Sequence, residues 1–253
     1  MKNKKVRFLV IFFAAVLIFG LFLVIKSFKS NTNTFRVGVR SDVSDWSYYD
    51  FDIEYCLGME ADIATYIGNE AGYNDIKFVT VNDSNKYELL ENGEIDCLIY
   101  AYSDEENNNV YYSDGYYEAI SSLICKKSSM FSSIKELSGK NIGVCDTTDV
   151  LINQMNEYFE VLDLEKPIYT KETDYHKLSE MLETGEVSAA LVTSDIGFSI
   201  ISEDDYVFEE TIGSRYASIA VNKKHNNAEK IIDAANKIIE NGTIEQILTN
   251  WGW

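Results

Sequence analysis

The sequence predicts an α/β fold with parallel strands, and two observations carry that prediction. From Phe35 onward, apolar runs of strand length alternate with segments whose apolar residues recur at helical spacing. A helix, Gly-Glu, strand unit also occurs twice, as Leu90-Glu91-Asn92-Gly93-Glu94-Ile95 and as Leu182-Glu183-Thr184-Gly185-Glu186-Val187, which suggests two similar lobes.

Residues 1–30 read as a targeting segment outside the fold. Lys2, Lys4, Lys5 and Arg7 precede an uninterrupted apolar run at 8–25, followed by Lys26 and Lys29. A helix of that length rises about 27 Å, close to the roughly 30 Å hydrocarbon core of a bilayer. The segment is therefore expected to be a transmembrane or signal helix with its basic end inside. Its apolar core is long for a cleavable signal, and neither a small-x-small site nor a lipoprotein cysteine follows it, which favours an uncleaved anchor. A polar tether at 30–34 leads into the folded part.

Six of the 22 basic residues lie before residue 31, leaving 16 basic against 41 acidic residues outside, net −25. Such a surface repels nucleic acid and anionic lipid and keeps an exported protein soluble. Cys56, Cys97, Cys125 and Cys145 lack the CxxC spacing of a structural zinc site. Cys97, Cys125 and Cys145 fall in apolar strand-like runs, where buried free thiols are expected. Four cysteines allow three full connectivities, so the sequence leaves pairing open.

The elements follow in order. Residues 35–39 alternate as a strand, and 58–72 read as a helix with Met59, Ile63, Ala64 and Ile67 along one face. A second strand is expected at 76–81. Asp83 or Ser84 can cap a helix that stops at Asn92-Gly93. Ile95, Cys97, Leu98 and Ile99 form a buried strand, and the polar run at 103–109 after it marks a ligand loop, because open α/β sheets bind ligands beyond the carboxyl ends of their strands. Further strands are expected at 141–145, 188–192 and 216–221. Further helices are expected from Thr147-Thr148 to Tyr158, at 195–201, at 227–241 and at 243–251.

Several motifs in order and in register carry a resemblance. They are Gly58-Met59-Glu60-Ala61-Asp62-Ile63-Ala64, Gly93-Glu94-Ile95-Asp96, Ser103-Asp104-Glu105-Glu106, Tyr112-Ser113-Asp114-Gly115-Tyr116-Tyr117 and Leu137-Ser138-Gly139-Lys140-Asn141-Ile142-Gly143-Val144. Val39-Arg40-Ser41-Asp42 with Trp46-Ser47-Tyr48-Tyr49-Asp50, and a terminal Trp251-Gly252 after Gly242-Thr243, add to them. From Phe35 to Trp253 the chain resembles the bacterial extracytoplasmic solute-binding proteins of the polar-amino-acid family. The resemblance implies a two-lobed, type II periplasmic-binding-protein-like fold whose lobes close over a ligand by a hinge motion. It places a discontinuous lobe 1 at 31–117 plus 218–253 and lobe 2 at 118–217, with crossovers near 117–121 and 213–217.

The same resemblance implies the pocket. The family's carboxylate-gripping arginine, its ammonium-binding aspartate and its stacking aromatic map to Glu106, Thr193 and Asp83, so all three differ here. Arg40 sits where a relative places an arginine at the ligand side chain, Trp46 takes the first aromatic position and Ser103 replaces a ligand-contacting threonine. Thr147 and Thr148 precede a helix whose free amides can hold an anion. A glutamate in place of the guanidinium repels a carboxylate in a desolvated cleft. The expected ligand is thus a small polar solute with a cationic group near Glu106 and an anionic group near Arg40 or the Thr147 amides; alternatively, Arg40 and Glu106 pair with each other.

No enzyme motif competes with this reading. His176 and His225, the two histidines, sit in polar stretches away from any nucleophile or paired-carboxylate pattern, and no cofactor is expected. The expected function is the non-enzymatic, extracytoplasmic binding component of an ABC-type uptake system. The protein is expected to be a membrane-anchored monomer partnered by an ABC permease. The alternative is a tethered sensing domain that acts through a separate signalling partner.

Overall fold

In the computed structural model of the chain, which describes residues 33–43, 45–105, 107–145, 149–208 and 210–253, the apolar runs become strands of one mixed sheet. The expected N-terminal membrane helix lies outside the described residues. Among the described residues no helix is long and apolar enough to cross a membrane.

In chain order the first part comprises β1 (Thr34–Val39), β2 (Asp42–Val43), β3 (Ser47–Asp50), β4 (Tyr55–Leu57), α1 (Met59–Glu70), β5 (Asp75–Thr80), α2 (Lys86–Glu91), β6 (Cys97–Tyr102), a 3-10 turn (Ser103–Glu105) and β7 (Val110–Tyr112). The middle comprises β8 (Tyr117–Lys126), β9 (Asn141–Val144), α3 (Val150–Val161), β10 (Ile168–Lys171), α4 (Tyr175–Thr184), β11 (Ala189–Thr193), α5 (Ser194–Ile200) and β12 (Asp205–Val207). The chain then returns through β13 (Gly213–Asn222) to α6 (Ala228–Glu240) and α7 (Thr243–Asn250).

The strand order is β10-β9-β11-β8-β13-β6-β1-β5, with β12 paired to β8 and β7 to β13. Two parallel groups stand at the two ends: β1 with β5 and β6, and β9 with β10 and β11. Between them run β8 and β13, ten residues each and antiparallel to each other, in register from Gly213 opposite Ser121 to Ala217 opposite Tyr117. The sheet is therefore mixed where the sequence predicts parallel strands. Apolar periodicity reports that a strand exists; it carries no information on direction, which the two long central strands reverse.

Packing follows the apolar faces. In α1, Met59, Ile63, Ala64 and Ile67 are fully buried, and α6 and α7 add Ile231, Ala235, Ile238, Ile244 and Ile247 to the same cluster, against β1 and β13. Around β9 and β11 a separate cluster joins Leu123, Ile142, Leu191, Met155 and Phe159. The small sheet β2-β3-β4 is locked to the start of α1 at Gly58, whose φ is 117° and where a Cβ would come within 2.6 Å of the Trp46 carbonyl oxygen. The first amides of α1 donate to that loop, Met59 N to Asp45 O at 3.0 Å and Glu60 N to Trp46 O at 2.9 Å. These bonds satisfy donors that the helix cannot, and they fix Glu60 and Trp46 beside the end of β1.

Candidate functional site

Arg40, one residue past β1, and Tyr100 and Tyr102 at the end of β6 stand at the carboxyl ends of the first parallel group, the position where open α/β sheets place ligands. Across from them lie Thr173 to His176, where Asp174 caps α4 by accepting from His176 N at 2.8 Å and Lys177 N at 3.3 Å. Between the two sides is a cleft of about 400 Å³, bounded among others by Arg40, Asp83, Lys86, Tyr100, Asp174 and Tyr175. Deeper in, Tyr102, Glu105, Cys145, Thr193 and Arg215 enclose a chamber of about 20 Å³, shared with Asp83, Tyr100 and Tyr175. The cleft is large enough for a small solute; the chamber has room for about one water-sized group.

Three cations organise the walls. Arg40, 7% exposed, bonds Glu60 Oε1 through Nη2 at 3.0 Å and Nε at 3.2 Å, and Asp195 Oδ2 through Nη1 at 3.2 Å. Its guanidinium lies 3.4 Å from the Tyr100 ring centroid, and the Tyr100 hydroxyl donates to the same Asp195 oxygen at 2.5 Å. Burial opposes the Arg40 charge, but Glu60 and Asp195 outweigh it and raise its pKa above the usual guanidinium value. Glu60 shows the opposite balance: burial raises its carboxyl pKa against the pull of Arg40.

Lys86 Nζ sits 2.9 Å from Asp83 Oδ1 and 2.9 Å from Glu105 Oε1, while the Tyr87 hydroxyl donates to the other Glu105 oxygen. Burial works against both partners of the first pair. Lys86 nevertheless holds the Asp83 carboxyl below its ordinary range, and Asp83 and Glu105 raise Lys86. Arg215, from the central strand β13, grips Asp104 through Nη2 at 2.8 Å and Nε at 3.0 Å, reaches Glu105 at 3.4 Å and lies 3.8 Å from the Tyr102 ring centroid. Burial opposes its charge too, and Asp104 overrides it.

These groups sum to three cations against five carboxyl groups, Glu60, Asp83, Asp104, Glu105 and Asp195. Carboxylates remain in excess even with Glu60 counted neutral. Glu60 Oε2 and Asp195 Oδ1 are buried without a hydrogen-bond partner among the described residues. The excess belongs to the ion networks behind the walls; along the cleft itself Arg40 and Lys86 stand beside Asp83 and Asp174.

Of the residues expected from the sequence, Arg40 and Asp83 line the cleft, and Asp83 and Thr193 line the chamber. Trp46 is fully buried and packs edge-on against Tyr117 and Trp253, with ring centroids at 4.6 and 5.2 Å; it lines neither hollow. Ser103 is exposed at the start of the 3-10 turn, also outside both. Glu106, Thr147 and Thr148 lie outside the described residues. The described partners of Arg40 are Glu60 and Asp195.

Sequence reasoning did not single out Glu60, Lys86, Tyr100, Tyr102, Glu105, Tyr175, Asp195 or Arg215. Two of these carry a signal in retrospect. Glu60 interrupts the apolar stripe of α1 beside Met59, and Arg215 is the one basic residue within the otherwise apolar or small β13. All four cysteines are buried, with Cys145 at the chamber wall.

The chain is similar to known proteins over most of its length. The family model described as bacterial extracellular solute-binding proteins, family 3, matches residues 35–253. The arginine-binding extracellular protein ArtP of Bacillus subtilis is 22% identical over 235 residues, covering 88% of each chain. The ABC transporter glutamine-binding protein GlnH of the same organism is 26% identical over 207 residues, covering 77% of this chain and 72% of its own. The crystal structure of the arginine-, lysine-, histidine-binding protein ArtJ from Geobacillus stearothermophilus superposes with a TM-score of 0.70 at 20% identity, over 87% of this chain and 95% of that one. At that identity the superposition establishes the mixed α/β, two-lobed fold.

Proposed function

The chain belongs to the bacterial extracellular solute-binding proteins, family 3, and from that premise we propose that it captures amino acids or similar small polar solutes outside the cytoplasmic membrane for an ABC permease. Family membership supports a binding role rather than an enzymatic one. The observation that carries the ligand class is the carboxylate excess of the ion networks behind the cleft, five carboxyl groups to three cations, with Asp83 on the open volume beside Arg40, Lys86 and Asp174. A solute with an ammonium or guanidinium group gains there from Asp83; a second carboxylate meets repulsion. ArtP and ArtJ, named for cationic amino acids, support the same class.

Lobe 1 is assigned to 31–117 plus 218–253 and lobe 2 to 118–217, a division supported by the antiparallel register between β8 and β13, the two strands that pass between the parallel groups. Anchoring by residues 1–30 is supported by their basic and apolar pattern. Arg40, Asp83 and Thr193 are assigned to ligand contact, joined by Tyr100, Tyr175 and Lys86. Trp46 and Ser103 are assigned to support of the cleft walls rather than to contact.

A thermal-shift panel of amino acids and polyamines on the full chain in detergent tests the reading. A solute that binds the folded state alone, at a hundredfold excess over its dissociation constant, adds about 2.7 kcal/mol of stability. L-arginine, L-lysine or a polyamine is expected to raise the melting temperature, with L-glutamate inert. A shift with L-glutamate alone would overturn the charge argument.

A further inference from the structure

Asp195 opens α5 directly after β11, in the half of the sheet built on β9, β10 and β11, whereas Arg40 follows β1 in the other half. The described hydrogen bonds of the Asp195 carboxylate both come from that opposite half, from Arg40 Nη1 at 3.2 Å and from the Tyr100 hydroxyl at 2.5 Å. Asp195 is fully buried and Arg40 nearly so. The neighbouring Ser194 Oγ accepts from Ile120 N at 3.2 Å and lies 3.3 Å from the Tyr117 hydroxyl, which ties the start of α5 to the crossover strand β8.

A guanidinium resting on an aromatic face between carboxylates of the two halves bridges them by charge. Here Arg40 supplies that guanidinium, stacked on Tyr100 with Glu60 from its own half and Asp195 from the other. A tethered cation loses no translational freedom on binding, so it competes well against a free one. We propose that Arg40 and Asp195, with Tyr100, form an internal latch that keeps the two lobes closed in the absence of solute. The inference rests on the two-lobed solute-binding reading. Under it, a solute enters the outer cleft without large lobe closure, and the closed form seen by a membrane partner is set by the latch as well as by the solute.

Single-molecule energy transfer on the full chain in detergent tests this. Dyes are attached at Asn69→Cys on α1 and Glu157→Cys on α3, both exposed positions in opposite halves, while the native thiols are buried. The expected result without solute is one narrow high-transfer population, unchanged by 1 mM L-arginine. Asp195→Asn is expected to raise the ratio of low- to high-transfer molecules about tenfold or more. Tyr100→Phe, which removes a single hydroxyl and preserves the packing, should move the ratio the same way by less and guards against misfolding of the first variant. A low-transfer majority in the wild type without solute, or an unmoved ratio in both folded variants, would overturn the latch. L-arginine titrated into the same proteins separates the two readings: if it binds none of them while Asp195→Asn still opens, the proposed solute is wrong and the latch stands.

Discussion

Lys86→Met probes the ion network of the cleft wall most sharply. Methionine preserves most of the aliphatic stem and removes the charge, so the loss falls on the two carboxylates that Lys86 holds at 2.9 Å. The two are not equivalent. The Asp83 side chain is 25% exposed and can rehydrate, but Glu105 is 4% exposed and, among the described residues, retains the Tyr87 hydroxyl and Arg215 at 3.4 Å. Removing one partner of a buried pair costs about 3–5 kcal/mol, and rehydration of Asp83 puts this case at the lower end, about 3 kcal/mol. For a unit of this size each kcal/mol shifts the melting temperature by about 2–4 °C, so calorimetry at pH 7 should read a drop of about 6–12 °C. Lys166→Met is the control. Its pair with Glu160 has both side chains at least half exposed, and its loss should stay within about 1 kcal/mol. Adding Glu105→Gln to Lys86→Met should recover part of the drop by removing the stranded charge. If Lys86→Met melts together with the Lys166→Met control, the network does not hold the cleft wall as described.

Two further outcomes follow from burial. Burial alone would raise the Asp83 and Asp96 carboxyls, yet Lys86 lowers the first, and His225 and Arg36 lower the second. Their contribution to stability is therefore complete above the unfolded value of about 3.9 and is lost as pH falls through the lower folded values. Melting temperature against pH should show an acid drop below about pH 4 that Asp96→Asn makes shallower; an unchanged drop in that variant would refute the assignment. Burial pushes the Cys56 thiol up to about 11 against a pull from Ser47, and the other three thiols are buried as well. Iodoacetamide at pH 8 should leave the native protein unlabelled and modify all four cysteines after denaturation, whereas prompt native labelling would contradict the packing of these sites.

The elements were legible where apolar residues have a period. The fully buried β6 and the stripe of α1 stand out in the sequence as continuous and helical apolar patterns, and both form within a few residues of the expected bounds. Strand direction was not legible. Neither was the three-stranded sheet β2-β3-β4, whose short strands leave Tyr48, Tyr55 and Leu57 exposed and so show too little of the alternation that marks a half-buried strand. The site was legible only at its edges. Arg40 and Asp83 follow strands and carry charge, which is enough to mark them. Their partners are set by tertiary structure: Asp195 lies 155 residues from Arg40, and Asp104 lies 111 from Arg215. No local spacing encodes such pairs. Lys86 and Glu105 read as ordinary polar residues of a helix and a turn until the fold brings them together.

The central claim is that the cleft reads positive charge through Asp83. Isothermal titration of L-arginine and L-glutamate into the full chain and its Asp83→Asn variant tests it most directly. The account predicts binding of L-arginine to the wild type, a loss of about tenfold or more in the variant, as for a hydrogen bond to a charged group, and no binding of L-glutamate. Equal affinity of wild type and variant for L-arginine, or tighter binding of L-glutamate, would contradict it.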